Sequence, residues 1–102
     1  MDSTTANANR DLNLTLLRQN IGDLDSEILR LLKQRLDIAK LIGQEKSQFQ
    51  IPVKDSEMED VVRERNRATA ISLGLSAELA DDLSEFLIRY AICAQTSAKP
   101  QS

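Results

Sequence analysis

The residues that could do chemistry stand out because they sit where a helical repeat wants something else. An apolar seam runs through the N-terminal half at residues 14, 17, 21, 24, 28 and 31 and then meets Arg35. A buried guanidinium is costly unless paired, so this position calls for an anionic partner or ligand. Lys46 follows eleven residues on. Eleven helical steps turn ~1100°, three turns plus about 20°, so both cations project from one face, ~16 Å apart along the axis. Two long side chains bending together leave room for a small anion. Arg18 lies seventeen residues before Arg35, which is ~25 Å away and about 100° round the helix. It cannot easily share that pocket within one chain, but an antiparallel partner helix could deliver it. Gln95 follows Ala91 by four on the apolar face of the last helical segment, turning an uncharged donor and acceptor inward. Asp55 and Glu59, also four apart, lie on one side of a helix start.

Each residue also has a reading without chemistry. Arg18 is explained as a solvated surface residue, and Arg35 as one half of a structural bridge to Glu59 or Asp55. Lys46 in GQEKSQ reads as an exposed helix end, Asp55 and Glu59 as helix-start acids, and Gln95 as part of a fraying terminus. The case for a small-anion site is their convergence.

The elements that must position these residues follow from the breaks. Pro52 and Gly74-Leu75 are the strong internal interruptions. From Leu12 to about Gln48 the steps of three and four predict one long helix with a coiled-coil-like seam, which Gly43 weakens without ending. A second helix is expected near Asp55-Ser56, with Ser56 and Glu59 in capping-box spacing. Its apolar side is Met58, Val61, Val62, Ala68 and Ile71, and Gly74 is its stop. Ser76 caps a third helix carrying Leu79, Leu83, Phe86, Leu87, Tyr90, Ala91 and Ala94, with Cys93 as a small core residue. The expected fold is all-α: three helices, the long one N-terminal. About 37 residues at ~1.5 Å each make a rod of roughly 55 Å, too long for two short helices to cover, so an intertwined dimer is expected. The domain runs over residues 11–97, between a disordered extension at 1–10 and a disordered tail at 98–102; Thr96 and Ser97 are polar enough to fray with it.

Composition narrows the function. The 102 residues are one domain's worth, with no histidine and a single cysteine. Ser-His-Asp and Cys-His catalysis, histidine-ligated metals, zinc clusters and internal disulfides are thereby excluded. A net charge of -3 and three aromatic residues give no reason to expect a nucleic-acid partner. MDSTTANANR is not a secretory signal, no apolar run approaches the ~20 residues of a membrane span, and no basic amphipathic face invites a membrane. A cytoplasmic location is expected, which a lone thiol fits.

The run LRQNIGDLDSEILRLLKQRLDIAKLIGQEK, then IPVKD, SEMEDVVRERN and GLSAELADDLSEFLIRYAICAQ, resembles the all-helical chorismate mutases over roughly residues 14 to 95. The most specific pieces are LRxxIxxLDxxIxxLLxxR, the IGxxK that follows, and PVxD with a glutamate four residues later. The resemblance implies an intertwined homodimer with two shared sites and the Claisen rearrangement of chorismate to prephenate, without metal or organic cofactor. It implies that Arg35 holds a substrate carboxylate, that Arg18 comes from the other subunit, and that Lys46 and Gln95 hydrogen-bond the breaking ether oxygen. Asp55 and Glu59 fall near the ring hydroxyl, Glu59 the more direct. A pericyclic reaction needs no nucleophile or proton transfer, so the missing histidine and cysteine cost nothing.

Two positions depart from the family pattern. Met58 stands where many members have arginine, removing a cationic contact, and Ala91 where some carry serine. Lys54 and Arg63 are candidates for supplying the charge, and spacing does not decide the matter. Weak binding with a modest rate is the expectation. The alternatives on the same fold are an isochorismate-pyruvate lyase, against which the intact PVKD and Glu59 lean, and an aminodeoxychorismate mutase. Another class, a non-catalytic helical dimerisation or metabolite-sensing module, would preserve the seam without needing Arg18, Arg35, Lys46, Glu59 and Gln95 together.

Overall fold

A computed structural model describes residues 3–98. Among the described residues there are three helices and no strand: α1 (Ser3–Gln48), α2 (Ser56–Ser72) and α3 (Ala77–Ser97). The all-helical expectation holds. The chain divides into two units, Met1–Gln34 and Arg35–Ser102.

In the first unit α1 begins at Ser3, ahead of Leu12, and carries helix through residues expected to be disordered. The stretch 3–11 has no glycine or proline, and extending an established helix costs far less than starting one. Thr15 bonds back to the Asp11 carbonyl at 2.9 Å, and Arg10 bonds Asn7 one turn earlier. Every residue from Asn7 to Leu31 is exposed, including the seam side chains Leu14, Leu17, Ile21, Leu24, Ile28 and Leu31.

The second unit holds the core. α2 and α3 pack through small side chains: Val62 and Ala70 from α2, and Ala80, Ser84, Ile88 and Ala94 from α3, are buried. Ala80, Ser84 and Ile88 are four apart, and Ala94 falls within the same third of the helix circumference, so they form one face. It is the narrow face of α3. Leu79, Leu83, Phe86 and Tyr90, expected to face the core, are exposed, as are Val61, Ala68 and Ile71 of α2. Small residues let two helix backbones come close, and the bulky stripe is left on the outside. Cys93, expected in the core, is also exposed, since it falls off the small-residue stripe. Ser84 is fully buried, and its hydroxyl accepts from Asn66 Nδ2 at 3.0 Å, so the polar atom placed in the core is satisfied.

The helix ends are set by local chemistry. The cap of α2 is Asp55, one residue before the Ser56 expected from the capping-box spacing; its carboxylate accepts the Met58 N–H at 3.1 Å. A carboxylate caps well and also suits the positive end of the helix dipole. Ser76 caps α3 as expected, accepting from Leu79 N–H at 3.1 Å. Gly74, at φ 81°, ends α2: its N–H bonds the Ile71 carbonyl at 3.1 Å, and Leu75 N–H bonds the Ala70 carbonyl at 2.8 Å. α1 ends by the same device on a costlier residue. Gln50 takes the left-handed turn at φ 57°, with Ile51 N–H on the Lys46 carbonyl at 2.7 Å. α3 continues through Thr96 and Ser97 to a cap at Ala98, and the remaining tail, 99–102, lies outside the described residues.

Candidate functional site

A cavity of about 350 Å³ opens in the Arg35–Ser102 unit. The end of α1 gives it Arg35, Ala39 and Lys46; α2 and its lead-in give Asp55, Met58, Glu59 and Arg65; α3 gives Ala91 and Gln95. Five of the six residues singled out from the sequence thus line one pocket. The sixth, Arg18, belongs to the Met1–Gln34 unit, is exposed, and is not among the lining residues.

Lys46 sits one turn before the end of α1 and is half-buried, so the reading of it as an exposed helix end does not hold. Its ammonium donates to the Val53 carbonyl at 2.9 Å and to Gln95 Oε1 at 2.8 Å. Two of its three N–H groups are thereby used, and one remains. A lysine can only donate, so this bond fixes which way the Gln95 amide faces: its oxygen meets Lys46 and its NH₂ is left as a donor. One proton of the ammonium and the amide NH₂ therefore stand beside each other, ready for a common acceptor.

Gly43 makes this possible. A Cβ built at Gly43 would stand 2.5 Å from the Gln95 carbonyl oxygen and 2.6 Å from its Cα. Only a residue without a side chain lets the backbone of α3 come that near to α1 and deliver Gln95 to Lys46. From the sequence Gly43 showed only as a weak point in a helix; the IGxxK spacing, Gly43 three residues before Lys46, was the available signal.

Arg35 does not bridge to Glu59 or Asp55. It donates to the Leu87 carbonyl of α3 at 3.2 Å and keeps its other N–H groups. Burial pushes its pKa down, and the charge of Arg65 across the pocket pushes the same way. Glu59 is buried, and its carboxylate is held from outside the pocket. Lys54 donates to Oε1 at 2.9 Å, and Arg63 reaches the same oxygen at 3.4 Å. Oε2 lies 2.7 Å from the Lys54 ammonium but receives no hydrogen bond. Both carboxylate oxygens are thus engaged by Lys54, and Glu59 presents a buried, charge-paired carboxylate at the pocket wall. Asp55 caps α2, as its helix-start reading has it, and also lines the pocket.

Met58 and Ala91 line the pocket as apolar wall. Neither sequence candidate for the missing charge is free to supply it, for Lys54 is engaged with Glu59, and Arg63 with Glu59, Asp60 and Glu85. The residue the sequence reading missed is Arg65. It lies seven after Met58, two turns less about 20°, and so shares its face. Among the described residues no cluster of three or more His, Cys, Asp or Glu is placed to hold a metal, and no helix is long and apolar enough to cross a membrane.

A three-helix domain whose pocket gathers arginine, lysine and an amide around apolar walls is built to hold a small, partly apolar anion. The family described as Chorismate mutase type II matches residues 17–96, and the chain belongs to that family. A protein named "Chorismate mutase" from Methanocaldococcus jannaschii is 27% identical over 77 residues, covering 76% of this chain and 78% of its own length. Proteins named "T-protein" from Haemophilus influenzae and Enterobacter agglomerans are each 32% identical, over 73 and 76 residues. Those segments are 72% and 74% of this chain but only 19% and 20% of the relatives, so the chain spans about a fifth of each T-protein.

Proposed function

We propose that this chain catalyses the rearrangement of chorismate to prephenate, and the observation that carries the reading is the Lys46–Gln95 pair. The substrate is a flexible dianion that reacts only in a compact, chair-like geometry. Arg35 binds one carboxylate. Arg18 of the partner subunit, in an intertwined homodimer, binds the other. Holding both ends supplies part of the roughly 7–11 kcal/mol that correct positioning can remove from a barrier.

As the C–O bond breaks ahead of C–C bond formation, negative charge gathers on the ether oxygen. The remaining ammonium proton of Lys46 and the Gln95 NH₂ meet that oxygen, and they bind it more tightly in the transition state than in the ground state. The Glu59 carboxylate, charge-paired with Lys54, accepts the ring hydroxyl, with Asp55 beside it. No step requires a metal or organic cofactor. The homodimer is supported by the seam of α1, whose leucines and isoleucines are exposed among the described residues. A cytoplasmic location and the absence of nucleic-acid and membrane partners belong to the same reading.

Product analysis tests it. The purified protein is given chorismate and, separately, isochorismate, alongside Arg35→Ala. Prephenate from chorismate, lost in the variant, is the expected result. Pyruvate from isochorismate at a much higher rate would move the assignment to a lyase. Turnover of neither would leave the dimer itself as the function.

A further inference from the structure

The pocket holds three cations and two carboxylates, and their partners within the protein are unequal. Asp55 is committed to the Met58 N–H and Glu59 to Lys54 and Arg63. Lys46 spends two of its protons on Val53 and Gln95, and Arg35 spends one on Leu87. Arg65 lines the same cavity and, among the described residues, has no hydrogen bond or ion pair. Its neighbours in RERNR show that this is a matter of direction. Arg63 and Arg67, four apart, turn together to Glu85 and Asp81 of α3, at 2.7 and 2.6 Å. Arg65 lies between them in sequence and about 200° away round the helix, on the side of Met58 and Val62.

Two guanidiniums lining one cavity, with no acid paired to either among the described residues, are an arrangement that an anion completes. The planar fork of each suits a carboxylate in particular. We propose that Arg65 is a substrate-binding residue that grips a carboxylate of the dianion from α2, doing from one position along the helix face what a cation at Met58 would do from another. The proposal rests on the chorismate reading for its ligand. On this proposal Arg65 supplies the cationic contact that Met58 lacks.

The test compares Arg65→Ala, Arg65→Lys, and Arg65→Ala combined with Met58→Arg against the unaltered protein, with Arg67→Ala as a control on the outer face. Two quantities are read: KM and kcat for chorismate, and calorimetric affinity for prephenate, which is itself a dicarboxylate. A hydrogen-bonded charge is worth ~1.5–3 kcal/mol, so Arg65→Ala should weaken both KM and prephenate affinity at least ten-fold with a smaller change in kcat. Arg65→Lys should retain part of the affinity, Met58→Arg should restore some of it, and Arg67→Ala should leave it within two-fold. Unchanged KM and affinity in a folded Arg65→Ala protein would overturn the proposal while leaving the mutase reading intact. A protein that binds prephenate through Arg65 yet never converts chorismate would uphold Arg65 and sink the mutase. Failure of the unaltered protein to bind or convert either compound would end both.

Discussion

Helix α1 carries the same helical repeat through two settings. In residues 7–31 every side chain is exposed, and the stripe is Leu and Ile. From Arg35 onward the inward positions are Ala39 and Gly43, both buried, with Arg35 and Lys46 half-buried beside them. Periodicity alone does not separate the two stretches; the size of the residue at the seam does. Small side chains let a helix meet another element of its own chain at close range. Large ones mark a face that needs a partner with its own large side chains to fill the space between.

The comparison can be broken most severely at Lys46. Removing a donor aimed at developing charge typically costs ~2.7–4 kcal/mol, so Lys46→Ala should lose 100-fold or more in kcat. Near-normal turnover would mean the second stretch is polar for reasons other than catalysis. Next is Leu24→Glu in the first stretch. If a second copy covers that stripe, the substitution removes about 1.5–3 kcal/mol of burial and should shift light-scattering mass from two chains to one. A monomer before and after would show the stripe to be a solvated surface.

Gly43→Ala asks whether close approach matters where residues are small. Overpacking costs typically 1–3 kcal/mol, and with Gln95 displaced both the urea midpoint and turnover should fall. A stable and fully active Gly43→Ala would show that α3 can back away without consequence. The smallest effect lies on the outer face of α2 and α3. Hydrogen bonds from Arg67 and Arg63 hold the Asp81 and Glu85 carboxyls below their usual range. A lowered folded-state pKa stabilises above the unfolded value and is lost as pH falls through the folded one. Urea midpoints should therefore decline below the ordinary carboxylate range, and Arg67→Gln should lessen that decline; an equal decline in both proteins would show that the Arg67–Asp81 pair contributes nothing.

How much of this was legible varies with what each feature depends on. Helix type and number follow from spacing and from Pro52 and Gly74, which act locally. Five pocket residues were legible, Arg35 and Gln95 because each interrupted an apolar face, and Lys46, Asp55 and Glu59 because helical spacing aligned them. Arg65 was not, because it sits among five consecutive polar residues, Arg63 to Arg67, where no pattern is broken. Its seven-residue distance from Met58 was the overlooked signal. The choice of the Ala80–Ser84–Ile88 face over the Leu79–Leu83–Phe86 face was equally hidden. Both have helical spacing, and only the distance between α2 and α3 selects the smaller residues. The Arg35–Leu87 bond could not be foreseen either, because a backbone carbonyl leaves no mark in composition.

Lys46 joins three parts of the chain: its own helix, the Phe49–Asp55 connection through Val53, and α3 through Gln95. The ammonium and the Gln95 amide are thus held relative to one another by contacts within the protein itself. An excursion in which the connection lifts from the end of α1 breaks the Val53 tether and leaves the ammonium held by Gln95 alone.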